Sequence, residues 1–310
     1  MIAFFSTLLQ CISFIRRKLF AIGLRKQHQA TRPVISIGNV SFGGTGKTPV
    51  VIALAKALTA RGLKVCILSR GYRRKKSQPT ERVDVQGSAS RFGDEPLLIA
   101  RATGVPVVVD AKRARAAAWA TEQLQPDLFL LDDGFSHLQL ARDFDLVMLA
   151  KDDMRLFARR RELRTTLSHA DAMATLEPRI ESPPADLIYI RRALTEQARQ
   201  ALKGKRVIAM AAIAHPERFS ELLVAEGAAI AGEAFFHDHH PFPDGALENA
   251  LAQVAKGQAD AVVITEKDAV KLSTLPAGVI VAATEVQLPE SLVERILKTT
   301  MFETISKRPI

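Results

Sequence analysis

The chain opens on a run where apolar residues dominate. Ser6, Gln10, Ser13 and Arg17 recur at intervals of four, three and four. That spacing places them on one helical face, with Phe4, Phe5, Leu8, Leu9, Ile12, Ile15 and Leu19 covering the rest. From residue 33 the pattern changes to short apolar runs alternating with amphipathic stretches. Runs at 33–40, 64–69, 105–110, 128–131 and 144–149 read as buried strands, and 49–60 and 111–124 as helices. Such alternation predicts an α/β chain built on a doubly wound parallel sheet. Pro183-Pro184 marks a linker, after which the pattern restarts. Strands are expected at 187–190, 206–211, 261–265 and 278–282, and helices at 216–225 and 245–255. The expected organisation is a helix in 1–32, a larger domain in 33–182 and a second, smaller α/β domain in 183–310.

Charge changes the reading of the first segment. The 310 residues carry a formal net charge of +10, which favours acidic partners such as phosphates or an anionic membrane. Residues 1–32 hold six Lys and Arg and no Asp or Glu. The apolar run to Ile15 is short of the roughly 20 residues a membrane span needs. Its basic residues, Arg16-Arg17-Lys18, follow the run, whereas a secretory signal puts them before it. The pattern fits a helix lying in the membrane interface with its cations at anionic head groups. The alternative is a terminal helix packed on the protein's own core. Aromatic residues are only 6% of the chain, which supplies few stacking platforms and argues against nucleic acid. Cys11 and Cys66, the two cysteines, are too few for a disulfide framework or a four-thiolate zinc site.

The chemistry concentrates after the first strand. Ser41-Phe42-Gly43-Gly44-Thr45-Gly46-Lys47-Thr48 lies between a strand and a helix, the context that a phosphate-binding P-loop requires. Glycines let backbone N–H groups converge on phosphate oxygens. Lys47 supplies a cation for the β- and γ-phosphates, and Thr48 a hydroxyl for Mg²⁺. The usual pattern begins with Gly, and Ser41 stands at that position. A nucleotide site of this kind needs a second acidic group. Asp132-Asp133 ends the apolar run 128–131 and presents carboxylates at a strand edge, although Gly134 also suits a solvated turn.

Gly-Gly-x-Gly-Lys-Thr also occurs in membrane-targeted partition ATPases, but those carry a Lys where Phe42 stands here. Other motifs appear in one order: Gly38-Asn39-Val40, Ser69-Arg70-Gly71-Tyr72, Gly93-Asp94-Glu95-Pro96, Asp132-Asp133-Gly134-Phe135-x-His137, His215-Pro216-Glu217-Arg218-Phe219, Asp238-His239-His240, and Thr265-Glu266-Lys267-Asp268-Ala269-Val270-Lys271. The set closely resembles the tetraacyldisaccharide 4′-kinases, the lipid A 4′-kinase family, from the N-terminal helix to about residue 271. The resemblance implies a P-loop fold whose smaller domain closes a cleft. It implies ATP and Mg²⁺ as cofactors and phosphorylation of the 4′-hydroxyl of a lipid A disaccharide 1-phosphate. It also implies work at the cytoplasmic face of the bacterial inner membrane. Neither nucleic acid nor an obligate protein partner is expected. A membrane-associated P-loop switch without a small substrate is the competing reading.

The resemblance also assigns roles. Asp94 matches the family's acid near the acceptor hydroxyl and is expected to be the base. On the residues alone, the N-cap of a helix over 95–102 is the favoured reading of Asp94, and only the resemblance reverses it. His239 matches the histidine that pairs with this acid, while 237–240 by itself also reads as a transition-metal site or as a solvated loop. Glu95 is expected at the Mg²⁺ shell with Thr48, Asp132 and Asp133. Arg70 and Arg164 are candidate contacts to substrate phosphate. His137 either tunes the acid pair or caps its turn. Glu266, Lys267 and Asp268 are expected to form an ion pair that orients the second domain, without a catalytic role. Arg73-Arg74-Lys75-Lys76 and Arg159-Arg160-Arg161 read as surface, or as a cationic collar at the membrane. The family's Pro-x-Gly-x-Leu-Arg-Glu stretch is altered here, keeping Leu163-Arg164 but with Thr165 at the Glu position.

Overall fold

The computed structural model describes residues 2–41, 44–72, 74, 79–155, 160–238, 240–272 and 274–306. The chain runs α1 (Ile2–Ala21), β1 (Val34–Asn39), α2 (Lys47–Thr59), β2 (Val65–Ser69), β3 (Glu81–Arg82), α3 (Ala89–Phe92), α4 (Asp94–Thr103), β4 (Val107–Val109), α5 (Arg113–Leu124), β5 (Leu128–Asp132) and β6 (Phe144–Met148). A 3-10 turn at Arg164–His169 precedes β7 (Ala172–Thr175), β8 (Ile188–Tyr189), β9 (Arg191–Leu194), α6 (Glu196–Leu202), β10 (Arg206–Ala211), α7 (Glu217–Ala225), β11 (Ala229–Phe235), α8 (Ala246–Ala255), β12 (Ala261–Thr265), α9 (Glu266–Ala269), β13 (Val279–Ala282), β14 (Thr284–Gln287) and α10 (Glu290–Ser306).

The fold is mixed α/β around a mostly parallel central sheet. Its strand order is β3-β4-β2-β5-β1-β6-β7-β8, with only β3 antiparallel to its neighbour. The central strands β1, β2, β5 and β6 are buried along their whole length, as continuous apolar runs in a parallel sheet require. Val34, Cys66, Leu68, Val108, Phe129 and Leu131 pack with Ala116, Ala117 and Ala120 of α5. Burial pushes the Cys66 thiol up to about 12, so it is a core side chain and not a ligand. A second sheet, all parallel, has the order β11-β10-β12-β13.

These sheets belong to two compact units. The first comprises Met1–Val85, Ile99–Arg191 and Val286–Ile310, and the second Gln86–Leu98 and Arg192–Glu285. A linear division at 182/183 differs in three ways: residues 183–191 stay with the first unit, the segment carrying Asp94 and Glu95 joins the second, and the last helix joins the first. The pattern-based elements recur within a few residues of their expected bounds. Missing from that reading were β3, α3, β7, β9, α6, β11, α9, β14 and α10. β11 is Ala-Ile-Ala-Gly-Glu-Ala-Phe, whose Ala, Gly and Glu carry little strand propensity.

The described side chains of α1 dock in an unusual sense: the polar stripe, not the apolar face, turns to the protein. Gln10 donates to the Arg160 carbonyl at 3.2 Å, Ser13 Oγ to Glu162 at 2.6 Å, and Arg17 to Glu162 at 2.9 Å and the Phe135 carbonyl at 3.0 Å. The Arg17 guanidinium also stacks 4.6 Å from the Phe135 ring centre. Outward stand Ile12, Phe14 and Ile15, the last 57% exposed, continued beyond the helix by Ile22 at 65% and Leu24 at 72%. Among the described residues no helix is long and apolar enough to cross a membrane.

Candidate active site

The carboxyl ends of β4, β2, β5 and β1 lie side by side, and the loops that leave them carry most of the charged residues singled out above. Parallel sheets bind ligands at this edge because their loops and helix N-termini converge there. β1 leads into the glycine-rich loop. Ser41 is buried, donates to Asp153 at 3.2 Å and bridges to Arg160. Phe42 and Gly43 lie outside the described residues. Gly44 is exposed, and Thr45 is buried with its hydroxyl unpartnered. Gly46 stands at φ +76, a backbone conformation that favours glycine, and a Cβ there would have to displace the end of the Leu176 side chain. α2 begins at the next residue, so Lys47 and Thr48 occupy its first turn, where backbone N–H groups are free of intrahelical partners.

β1 and β5 pair in register with Ile37 opposite Asp132, which sets the acidic pair beside this loop. Asp132 accepts from Ser69 Oγ at 3.0 Å. Asp133 is the first residue past β5 and adopts φ +54. Its carboxylate lies 3.6 Å from Lys47 Nζ and receives both arms of Arg161, at 2.5 and 3.2 Å. Arg161 also donates to Asn39 Oδ1 at 2.7 Å, and its backbone N–H to the Val40 carbonyl at 2.8 Å. Burial works against the charge of Asp133, but Lys47, Arg161 and Arg113 outweigh it and hold the carboxyl well below the usual carboxylate range. Arg113, first residue of α5, is buried with its Nε unpartnered, and burial lowers it to about 10 against the pull of Asp133. His137 is lowered to about 3, first by burial and then by Arg113, Arg142, Arg16 and Arg70. It stands neutral in this cationic surrounding, its backbone N–H donating to the Gly134 carbonyl at 2.8 Å.

Arg70 follows β2, is exposed, and lies close enough to act electrostatically on Arg113 and His137. Arg164 opens the 3-10 turn and is exposed. The arginine brought to Asp133 is Arg161, from the basic run read as surface or as a cationic collar. Arg161, Arg113 and Asn39 were missed. A basic run signals solvated surface, and only the backbone pairing of 160–162 with Ser41 and Val40 turns Arg161 inward.

The second unit holds the other expected group. Asp94 and Glu95 form the first turn of α4, where their charge suits the helix dipole. Glu95 lies 3.7 Å from Lys267 Nζ, which also donates to Asp238 at 3.1 Å. His239 lies outside the described residues, so its expected pairing with Asp94 has no geometry here. Asp268 is buried, accepts from the Ala212 N–H at 3.1 Å, and pairs with Lys271 at 2.7 Å. Among the described residues no three His, Cys, Asp or Glu side chains form a cluster able to hold a metal by themselves.

The family model described as tetraacyldisaccharide-1-P 4′-kinase, LpxK, matches residues 1–301. A tetraacyldisaccharide 4′-kinase of Koribacter versatilis is 39% identical over 274 residues, covering 84% of this chain and 85% of the relative. One from Anaeromyxobacter dehalogenans is 38% identical over 291 residues, covering 83% and 77%. The crystal structure of LpxK from Aquifex aeolicus in complex with ATP superposes with a TM-score of 0.78 at 30% identity, covering 96% of this chain and 97% of that one. The chain belongs to the tetraacyldisaccharide-1-P 4′-kinase family, LpxK.

Proposed function

We propose that this protein transfers the γ-phosphoryl group of ATP to the 4′-hydroxyl of a tetraacyldisaccharide 1-phosphate, a step of lipid A biosynthesis. The observation that carries the reading is the Lys47–Asp133–Arg161 cluster at the start of α2. Phosphoryl transfer is mostly positioning and charge neutralisation. Residues 41–48 act as a P-loop: backbone N–H groups and the N-terminus of α2 receive the phosphates, and Lys47 and Arg161 neutralise charge developing on the transferred group. Asp133 holds both cations in place until the nucleotide arrives.

The donor set suits Mg²⁺. Thr48 and Asp132 offer hard oxygen ligands at adjoining ends of α2 and β5, with Asp133 beside them. Mg²⁺ usually keeps waters and takes phosphate oxygens, so two or three protein ligands suffice. When bound, it supplies Lewis-acid stabilisation of the phosphate charge. Glu95 joins through water at most, since Lys267 already engages it. Asp94 takes the proton from the sugar hydroxyl, assisted by His239, and Arg70 and Arg164 receive the substrate phosphate. The second unit thus acts as the smaller domain that contributes the base.

The outward apolar side of α1, with its acid-free cationic flank, supports peripheral attachment to an anionic membrane, at the cytoplasmic face of the inner membrane. The test is transfer of labelled γ-phosphate to the acylated disaccharide in detergent, with the deacylated sugar as control. Lys47→Ala should lower turnover on the order of 10²-fold or more. A wild-type protein that labels no lipid, or an alanine variant with full activity, defeats the reading.

A further inference from the structure

The corner between β12 and α9 is built as a rigid block. Thr265 Oγ accepts from the Asp268 N–H at 3.2 Å and caps the short helix. The fully buried Asp268 carboxylate accepts from Thr265 Oγ at 2.7 Å, from Lys271 Nζ at 2.7 Å and from the Ala212 N–H just past β10. Two ammonium groups extend from this block to a single loop. Lys267 donates to the Asp238 carboxylate at 3.1 Å, and Lys271 to the His240 carbonyl at 3.0 Å. Residues 238 and 240 flank His239. Lys267 also lies 3.7 Å from Glu95, the neighbour of Asp94. One lysine therefore touches the residues adjoining both groups assigned to proton transfer.

We propose that Lys267 is a positioning residue for phosphoryl transfer, tying the Asp94-Glu95 turn to the loop of His239 while Lys271 grips that loop from its other side. The inference rests on the reading of Asp94 and His239 above. Glu95 and Asp238 repel each other, and the ammonium group between them converts that repulsion into a shared ion pair. A lysine serving only solubility would extend into water; the side chain of Lys267 keeps 19% of its exposure and that of Lys271 9%. Placement matters here because a base displaced by about 1 Å can cost on the order of 10²-fold in rate.

The experiment measures kcat and KM for ATP on the acylated disaccharide, with thermal midpoints, for wild type, Lys267→Met, Lys267→Arg, Asp94→Asn and the Asp94→Asn/Lys267→Met double variant. Lys267→Met should lower kcat about 10- to 100-fold and leave the KM for ATP within about threefold. Lys267→Arg should restore most of the loss, since a guanidinium can span the same two carboxylates. Once Asp94 is replaced, removing Lys267 should cost little more, because its effect passes through the base. A Lys267→Met enzyme within about twofold of wild type, or losses that multiply in the double variant, overturns the proposal. If Lys267→Met does not fold, Asp238→Ala breaks the same tie from its exposed side and must lower kcat in the same direction; unchanged turnover there overturns it too. An inactive Asp94→Asn beside a fully active Lys267→Met defeats the clamp alone. A fully active Asp94→Asn defeats the base assignment and the clamp with it.

Discussion

Asp133 stands in left-handed backbone geometry at the end of a buried strand, between a lysine and an arginine. Few non-glycine residues adopt that conformation, and Asp is among those that tolerate it. The side chain gains a bidentate partner, the strongest form of carboxylate hydrogen bonding. A different set of groups acts on His137: burial first, then Arg113, Arg142, Arg16 and Arg70. Its native-state value of about 3 lies far below that of an unfolded histidine near 6.5. Between those values the unfolded chain binds a proton that the native protein refuses, so stability rises with pH there, by up to about 1.4 kcal/mol per pH unit. Denaturant unfolding at pH 4.5 and 7.5 should show wild type losing more stability on acidification than His137→Gln does. Equal losses in the two proteins would mean that His137 is protonated in the native state.

At the scale of elements, α1 carries the main surprise. The sequence leads one to expect an amphipathic helix, and the polar residues Gln10, Ser13 and Arg17 make its docking contacts. The strip 160–162 explains how: the Arg160 carbonyl and the Glu162 side chain face α1, while Arg161 turns the other way to Asp133. Glu162 is 2% exposed, and Ser13 and Arg17 overcome the penalty of its burial and hold its carboxyl below the ordinary value. Two sets of substitutions separate docking from membrane attachment. Replacing Ile15, Ile22 and Leu24 together by Ser should leave the thermal midpoint unchanged and weaken binding to anionic vesicles by about 10- to 100-fold, as loss of buried apolar area predicts. Arg17→Met strands a buried carboxylate and should cost about 3–5 kcal/mol of stability, recovered in large part by adding Glu162→Gln. Full vesicle binding by the triple variant would remove the apolar side from membrane attachment. An unchanged midpoint in Arg17→Met would show that the network does not anchor α1.

At the scale of the whole molecule, what the sequence discloses depends on how local the signal is. The central strands β1, β2, β4, β5 and β6, the strands β10, β12 and β13, and the glycine-rich loop are legible because continuous apolar runs and glycines at fixed offsets act over a few residues. Asp132 and Asp133 follow from the same logic, as residues that end such a run. Arg161 and Arg113 are not legible, because Arg161 meets Asp133 and Asn39 only across 28 and 122 residues of chain, and Arg113 feels Asp133 from 20 residues away. The same holds for the division of the chain into units, which needs α4 and α10 to be seen in place. α10 returns to the first unit and packs along α2, the helix that starts at Lys47. Leu292, Val293 and Ile296 are buried there. Its surface contacts are an ion pair of Arg61 with Glu290 and a bond from Arg295 to the Asp171 carbonyl. Buried Leu→Ala and Ile→Ala changes typically cost about 2–5 kcal/mol, whereas exposed ion pairs contribute roughly 0–1. Leu292→Ala and Ile296→Ala should therefore each lower the thermal midpoint by several degrees, and kinase activity should be lost at a correspondingly lower temperature. Glu290→Ala should shift neither. The measurement is the midpoint by calorimetry beside residual activity after heating. If Glu290→Ala matched the two core variants, α10 would be held by its surface charges and not by the apolar residues it buries.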